Sequence, residues 1–179
     1  MPDPRTMSDF VSFAHELDVD PFRDAFGDGF LVITDGRDFQ MKSRFQPTSR
    51  IDLHALAAVS KGAPMPESLV FLLQRDDESV YSFISVGRTN NCDVTLPDES
   101  VSKLHAIVKE IDGTFYIQDA DSQNGTTLDD DPVPVRGQGN APALVPGVDV
   151  CFGLVRMQFV DARELRNRAG KLPKTVATA

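Results

Sequence analysis

The chain has 179 residues, of which 41% are hydrophobic and 25% are charged, and its formal net charge is −9. This length is sufficient for one domain with appendages or for two small domains, each with its own apolar core. The composition is ordinary for a globular protein, so it excludes a disordered chain, a collagen-like repeat and a disulfide scaffold.

The first third of the chain predicts a mixed extension. An amphipathic helix is predicted over residues 8–26 by apolar residues at helical spacing: Phe10, Phe13, Ala14 and Leu17. Residues 30–33 predict a strand, with which residues 37–45 are expected to pair across an Asp-Gly turn. Residues 51–61 indicate a second helix, and the segment 62–66, rich in Gly and Pro, is the best candidate for a domain boundary. Six of the twelve phenylalanines precede residue 40, so this region either has a core of its own or covers the core of the residues that follow. We favour the second interpretation.

From residue 68 onward, short apolar segments alternate with turn residues about every ten positions, which is typical of an all-β sandwich. The predicted strands lie near residues 69–75, 81–87, 93–96, 105–111, 114–119, 126–128, 133–136, 148–152 and 155–160. Asp112-Gly113 predicts a hairpin turn between two alternating segments. Residues 162–170 predict a short terminal helix that ends at Gly170.

The net charge is unevenly distributed along the chain. Residues 69–161 hold 6 basic and 15 acidic side chains, whereas residues 162–179 hold 5 basic and 1 acidic side chain. Because phosphate contacts need a basic face, the acidic central block argues against a general nucleic-acid-binding protein. It leaves room only for a small, local anion site. The basic tail is interpreted as a solvated helix face, with contact to an acidic partner as the alternative.

Polar side chains suited to anion binding collect in three loops between the predicted strands. Gly87-Arg88 ends the second strand, residues 102–105 open the fourth, and residues 122–125 join the fifth to the sixth. If these loops share one end of the sandwich, they present a guanidinium, a hydroxyl, an ammonium and a carboxamide together. This set suits a dianionic phosphate beside a peptide backbone.

The spacing of these groups resembles the forkhead-associated (FHA) domain. A Gly-Arg pair is followed about fourteen residues later by Ser-x-x-His, and Asn-Gly follows about twenty residues after that. The resemblance covers residues 69–161 and rests on Gly87, Arg88, Asp93, Ser102, His105, Asp119, Ser122, Asn124, Gly125, Thr126 and Phe152-Gly153. Each element alone is common, whereas the joint pattern is specific. It implies an eleven-stranded β-sandwich that binds phosphothreonine peptides.

The resemblance also implies roles for individual residues. The residues assigned to the phosphopeptide are Arg88, Ser102, Lys103, Gln123 and Asn124. The residues assigned to the shape of the loops are Gly87, His105 and Gly125. Arg88 and Ser102 would hold the phosphate, and Asn124 would hold the peptide backbone. For Lys103, phosphate contact and a solvated side chain remain open. Gln123 departs from the family, which often has a small hydroxyl residue at this position.

Rival motifs fail on spacing. The segment from Asp119 to Gly125 hints at a calcium loop, but its glycine does not fall at the required sixth position when Asp119 is the first ligand. A triad of Ser102, His105 and Asp119 lacks a G-x-S-x-G elbow. We therefore expect no catalytic residues, no metal and no cofactor, and we do not expect an enzyme.

Cysteine usage and the polar N-terminus suggest the compartment. Cys92 and Cys151 form no C-x-x-C motif, which favours a reducing environment. The first residues are polar and lead into no apolar stretch of signal-peptide type, and no apolar run approaches the length of a membrane span. The expected location is cytoplasmic.

These observations predict three parts: an N-terminal extension over residues 1–66 packed on the sandwich, an FHA domain over residues 67–161, and a basic helix and tail over residues 162–179. The predicted function is phosphothreonine-dependent protein interaction in Ser/Thr kinase signalling, with a Thr-phosphorylated protein as partner and neither a nucleic acid nor a membrane span involved. The alternative is a phosphate-independent FHA-like adaptor that assembles a complex through its sheet face or its Phe-rich extension.

Overall fold

The computed structural model describes residues 4–34, 68–75 and 81–173, which form two β-sheets and a helical layer. The described strands are β1 (Arg5–Thr6), β2 (Phe30–Ile33), β3 (Leu69–Leu72), β4 (Ile84–Gly87), β5 (Val94–Thr95), β6 (Ala106–Ile111), β7 (Thr114–Asp119), β8 (Thr126–Leu128), β9 (Asp131–Pro132), β10 (Asp149–Phe152) and β11 (Val155–Val160). The described α-helices are α1 (Val11–Glu16), α2 (Val19–Phe26) and α3 (Ala162–Gly170), and a 3-10 turn over Met7–Phe10 precedes α1.

The strands form a sandwich of two sheets, which confirms the predicted fold class. The larger sheet has the order β1-β3-β2-β11-β10-β8-β9, and the smaller sheet has the order β5-β4-β6-β7. The two inner faces enclose one apolar core, to which Val86, Ile117, Phe152 and Met157 contribute fully buried side chains. On β7, inward Phe115 and Ile117 are buried while the intervening Tyr116 is only half-buried, which is the period-two alternation of a sheet with one buried face.

Strand β2 lies inside the larger sheet, although it precedes the predicted start of the sandwich at residue 67. Phe30 pairs with Leu72 of β3 and with Val160 of β11, both antiparallel. The continuous apolar sequence of β2 fits this position, because the strand is covered on both faces. The sheet pairing therefore makes Phe30–Ile33 part of the sandwich, and β1 also pairs with β3 of the same sheet. We propose that residues 4–34 belong to the same folded unit as the sandwich, with no domain boundary between them.

A second apolar cluster lies on the outer face of the larger sheet. Phe10 packs within 5.3 to 6.2 Å, between ring centroids, of Phe22, Phe26 and Phe30. Leu165 of α3 is fully buried in the same cluster. The N-terminal helices and α3 therefore form one layer over β2, β3 and the end of β11.

The single helix predicted over residues 8–26 is wrong, because the chain breaks into α1 and α2 at Leu17. Leu17 is extended, with φ −107° and ψ 142°. Pro21 explains the break, since it has no N–H to donate to the Leu17 carbonyl and its ring would clash with that group in a continuous helix. Arg166 of α3 donates its Nε–H to this carbonyl at 2.6 Å. The break thus provides the acceptor that ties α3 to the N-terminal layer.

Most other predicted elements match the structure within a few residues. The hairpin of β6 and β7 turns at Asp112-Gly113, whose φ values of 50° and 75° suit the tight turn. Helix α3 has the predicted bounds. Residues 133–136 form only an isolated bridge at Val135 instead of a strand. The predictions for 37–45, 51–61 and 62–66 lie outside the described residues. Of the helices in the described ranges, none has the length and apolar character needed to cross a membrane.

Candidate functional site

The three loops that carry the predicted polar groups meet at one end of the smaller sheet. Strand β6 runs antiparallel to both β4 and β7, and Val86, Ala106 and Asp119 lie side by side in register. The end of β4, the start of β6 and the end of β7 are therefore on the same edge. The residues brought together there are all those predicted from the sequence: Gly87, Arg88, Ser102, Lys103, His105, Gln123, Asn124 and Gly125.

Gly87 allows the first two loops to touch. A Cβ at this position would lie 2.3 Å from the Lys103 carbonyl oxygen, so no larger residue fits without moving the backbone. The Arg88 N–H donates to the Ser102 carbonyl at 2.9 Å, and the Thr89 hydroxyl donates to the Lys103 carbonyl at 2.9 Å. The Arg88 side chain is thereby fixed at its base beside the Ser102-Lys103 loop.

The Ser102 hydroxyl joins the second loop to the third. Its oxygen accepts a hydrogen bond from the Gln123 backbone N–H at 3.0 Å. Because this bond uses Ser102 as an acceptor, the hydroxyl proton remains available to donate to an anion. The Gln123 side chain itself is exposed. In this structure, Gln123 contributes to the loop through its backbone.

His105 lies behind the loops and bonds to both of them. Its Nδ1 accepts from the Ser102 N–H at 2.9 Å, so the ring proton is on Nε2, which donates to the Gly125 carbonyl at 3.0 Å. Burial lowers the pKa of His105 below its usual value, although the Gly125 carbonyl and the nearby Asp119 carboxylate oppose this effect. His105 contacts the backbone of Ser102 and not its hydroxyl, so the arrangement is not a nucleophile–base pair.

The buried carboxylate of Asp119 organises the third loop. It accepts from the Ser122 N–H at 2.8 Å, from the Ser122 hydroxyl at 2.7 Å and from the Thr126 hydroxyl at 2.6 Å. Burial by itself would raise the pKa of Asp119, but these hydrogen bonds and the proximity of His105 outweigh it, and the pKa is lowered. Asp119 therefore positions the loop that presents Gln123 and Asn124, a role that the sequence motif did not specify.

Asn124 is held by a residue that the sequence reasoning missed. Its Nδ2–H donates to the Ser100 carbonyl at 2.7 Å, which leaves Oδ1 as an acceptor on an exposed side chain. Ser100 also accepts from the Leu154 N–H at 2.9 Å through its hydroxyl. The Asp98 carboxylate accepts from the Ser100 N–H at 2.8 Å, which forms a turn at residues 98–100. The Asp-x-Ser spacing is the sequence signal that could have predicted this turn.

The charges at this edge differ from those of the surrounding chain. The side chains of Arg88 and Lys103 are exposed, and no carboxylate in the described ranges forms an ion pair with either of them. They stand within residues 69–161, which hold 15 acidic and only 6 basic side chains. Within the described residues, no group of acidic, His or Cys side chains is arranged to hold a metal ion.

The fold and this edge define a β-sandwich that presents two cations, a hydroxyl and a carboxamide on adjoining loops. Residues 84–153 match the family model described as the FHA domain. The resemblance to the FHA domain stated from the sequence is therefore confirmed over this segment of the chain.

Individual relatives cover different shares of the chain. The chain is 32% identical over 77 residues to the oxoglutarate dehydrogenase inhibitor of Corynebacterium diphtheriae, and the match covers 43% of this chain and 50% of that protein. The chain thus spans about half the length of this curated relative.

Two solved structures share low sequence identity with the chain. One comes from a structural and functional analysis of phosphothreonine-dependent FHA domain interactions, with 17% identity, a TM-score of 0.47, and coverage of 74% of this chain and 95% of that one. The FHA domain of the CT664 protein from Chlamydia trachomatis has 17% identity, a TM-score of 0.45, and coverage of 75% and 97%. The family assignment rests on the match of residues 84–153 and not on these superpositions.

Proposed function

We propose that this protein binds a Thr-phosphorylated protein through the loops that hold Arg88, Ser102 and Asn124. The observation that carries the proposal is the continuous set of hydrogen bonds that links these loops. Arg88 bonds to Ser102 through the backbone, Ser102 bonds to Gln123, and His105 bonds the second loop to the third. These bonds pre-organise the donors before a ligand arrives, which reduces the entropic cost of binding.

The chemistry of the donors fits a phosphate. The Arg88 guanidinium offers a planar fork of N–H donors, which matches two phosphate oxygens, and charge-assisted hydrogen bonds of this kind are the strong ones. Lys103 adds a second positive charge beside it. The Ser102 hydroxyl adds a neutral donor whose oxygen is already held by Gln123. Two cations and a hydroxyl suit a phosphate dianion better than a single carboxylate.

Asn124 would bind the peptide backbone next to the phosphothreonine. One N–H of its Nδ2 donates to the Ser100 carbonyl and orients the amide, so that its Oδ1 would accept an N–H from an extended peptide. Gln123 lies between Ser102 and Asn124, where its long amide side chain would flank the phosphothreonine. The arrangement binds a ligand and performs no chemistry on it.

The family assignment supports phosphothreonine over other phosphates, and it implies a Ser/Thr kinase upstream. The relative from Corynebacterium diphtheriae is named as an inhibitor of oxoglutarate dehydrogenase. By analogy, this chain would act by binding a partner protein that a kinase has phosphorylated on threonine, and we place this interaction in the cytoplasm.

A capture experiment tests the proposal. The full chain is immobilised and exposed to lysate from cells with active Ser/Thr kinases, in parallel with phosphatase-treated lysate, and captured proteins are identified by mass spectrometry. We expect proteins that are retained only from untreated lysate and that are lost with Arg88→Ala. If the same proteins are retained from both lysates and by both variants, the phosphate-independent adaptor becomes the better account.

A further inference from the structure

The outer face of the smaller sheet carries an aromatic and cationic surface away from the loop site. The register places Lys109 of β6 beside Tyr116 of β7, and Ile111 follows on the same face of β6. Phe83 directly precedes β4, whose Ile84 pairs with Val108 of β6, and Phe83 lies outside the inner core cluster to which Ile84 and Val108 belong. We call this surface the outer β4–β6–β7 face, and its members are Tyr81, Phe83, Lys109, Ile111, Tyr116 and Arg136.

Three side chains on this face form a stack. The rings of Tyr81 and Phe83 are stacked with centroids 5.0 Å apart and an interplanar angle of 22°. The Arg136 guanidinium, from the segment after β9, lies over the Phe83 ring at 5.5 Å from its centroid. Phe83 is 9% exposed, whereas Tyr81 is 58% exposed and Ile111 is 54% exposed. Tyr81 and Ile111 therefore expose apolar surface on this face.

The charge of this face is opposite to that of the chain. Asp93 lies beside Ser85 on the same sheet, but its carboxylate is buried and accepts from the Ser85 N–H at 2.8 Å and from the Ser85 hydroxyl at 2.6 Å. Arg136 is exposed and Lys109 is half-buried, and no ion pair involves either of them within the part of the chain that the structure describes. Two cations next to an exposed aromatic ring thus occur on a chain with a net charge of −9.

The outer β4–β6–β7 face is separate from the loop site. The four-residue strand β4 lies between Phe83 and Arg88, and at about 3.3 Å per residue it spans roughly 13 Å. A ligand held by Arg88 and Asn124 would therefore leave this face free. Contacts at the two sites can be tested independently.

We propose that the outer β4–β6–β7 face docks an acidic segment of a partner protein that carries an apolar or aromatic anchor. Tyr and Arg are enriched among the residues that dominate binding energy, because they combine apolar area with polar groups. Carboxylates of the partner would pair with Arg136 and Lys109 while its anchor packs on Tyr81 and Ile111. A nucleic acid is the poorer occupant, because its many phosphates would be repelled by the net negative charge of the chain.

The test uses a synthetic peptide in which a phenylalanine is flanked on both sides by glutamates. It is titrated into the isotope-labelled full chain, and binding is followed by amide proton–nitrogen correlation NMR. We expect the amide signals of Tyr81, Lys109 and Ile111 to shift, with the signals of Ser102 and Asn124 unchanged. Arg136→Glu should weaken the binding by about fivefold or more, because it replaces attraction by repulsion. Arg163→Glu makes the same charge change on the helical layer and should have no effect.

The alternative occupants are distinguished in the same experiment. A peptide with lysines in place of the glutamates should not bind, and a short oligothymidine should bind less tightly than the acidic peptide. The proposal is overturned if the oligothymidine binds more tightly, if both peptides shift the same signals equally, or if Arg136→Glu binds as the parent does. It is also overturned if sedimentation shows a dimer that Tyr81→Ser dissociates, since the occupant would then be a second copy of the chain. These outcomes do not depend on phosphopeptide binding.

Discussion

Replacing Arg88 with alanine removes the guanidinium from the loop site while leaving the loop framework in place. The Arg88 side chain is exposed, and the hydrogen bond from this residue to the Ser102 carbonyl comes from the backbone N–H, which alanine retains. Gly87, His105 and the bond from Gln123 to Ser102 are untouched. The substitution therefore tests ligand binding with little effect on folding.

The magnitude follows from the bonds that would be lost. A hydrogen bond to a charged group contributes about 1.5–3 kcal/mol, and each 1.4 kcal/mol corresponds to roughly a tenfold change in affinity. Exposure of the Arg88 side chain and the remaining charge of Lys103 limit the loss. We expect Arg88→Ala to weaken phosphothreonine-peptide binding by about 10–100-fold. Arg88→Lys, which keeps the charge but not the planar fork, should give an intermediate loss.

Isothermal titration calorimetry with a peptide selected from a phosphothreonine library measures this effect. Arg163→Ala is the matched control, because it removes an exposed arginine from α3 and changes the net charge equally. Thermal unfolding should show the same midpoint for Arg88→Ala and the parent. If Arg88→Ala binds the peptide as tightly as the parent, or if Arg163→Ala weakens binding equally, the assignment of Arg88 to the phosphate is wrong.

Four further outcomes are expected. Asn124→Ala should weaken the same peptide by about 3–10-fold through loss of one neutral hydrogen bond, and calorimetry that shows no loss would contradict the role of its Oδ1. Deletion of residues 1–66 removes β2 from between β3 and β11, so circular dichroism should show no cooperative melting; a cooperative transition in the truncated chain would mean that β2 is dispensable. Phosphopeptide affinity should rise as the pH increases through about 6 and then level off, because the phosphate dianion is the bound form. A peptide with glutamate in place of the phosphothreonine should bind far more weakly. An affinity that does not change between about pH 5 and 7 would argue against binding of a phosphate dianion. Because burial lowers the pKa of His105 in the folded state, the unfolded state binds a proton first as the pH falls below 6.5, and the free energy of unfolding should decrease there. In a series of denaturation experiments at different pH values, His105→Gln should reduce this decrease. An unchanged pH dependence in the variant would contradict a buried neutral His105 ring.

Elements with local sequence signals could be predicted before the fold was known. The turn at Asp112-Gly113 needs two positive φ values, which these residue types tolerate, and the alternation on either side defines β6 and β7. The end of α3 was predicted from Gly170, and the structure adds an N-cap in which Asp161 accepts from the Glu164 N–H at 2.7 Å. The candidate site residues Arg88, Ser102 and Asn124 were recognisable because their joint spacing is specific.

Which elements become neighbours could not be predicted from local sequence signals. An apolar run such as Phe30–Ile33 predicts a strand, but its pairing with β3 and β11 depends on contacts with residues far along the chain. The Asn124 side chain donates to the backbone carbonyl of Ser100, and the Arg166 side chain donates to the backbone carbonyl of Leu17. Every residue has a backbone carbonyl, so the residue type at a position does not show whether its carbonyl accepts such a hydrogen bond. For the same physical reason, the stack of Tyr81, Phe83 and Arg136 became visible only when the fold brought separate segments onto one face.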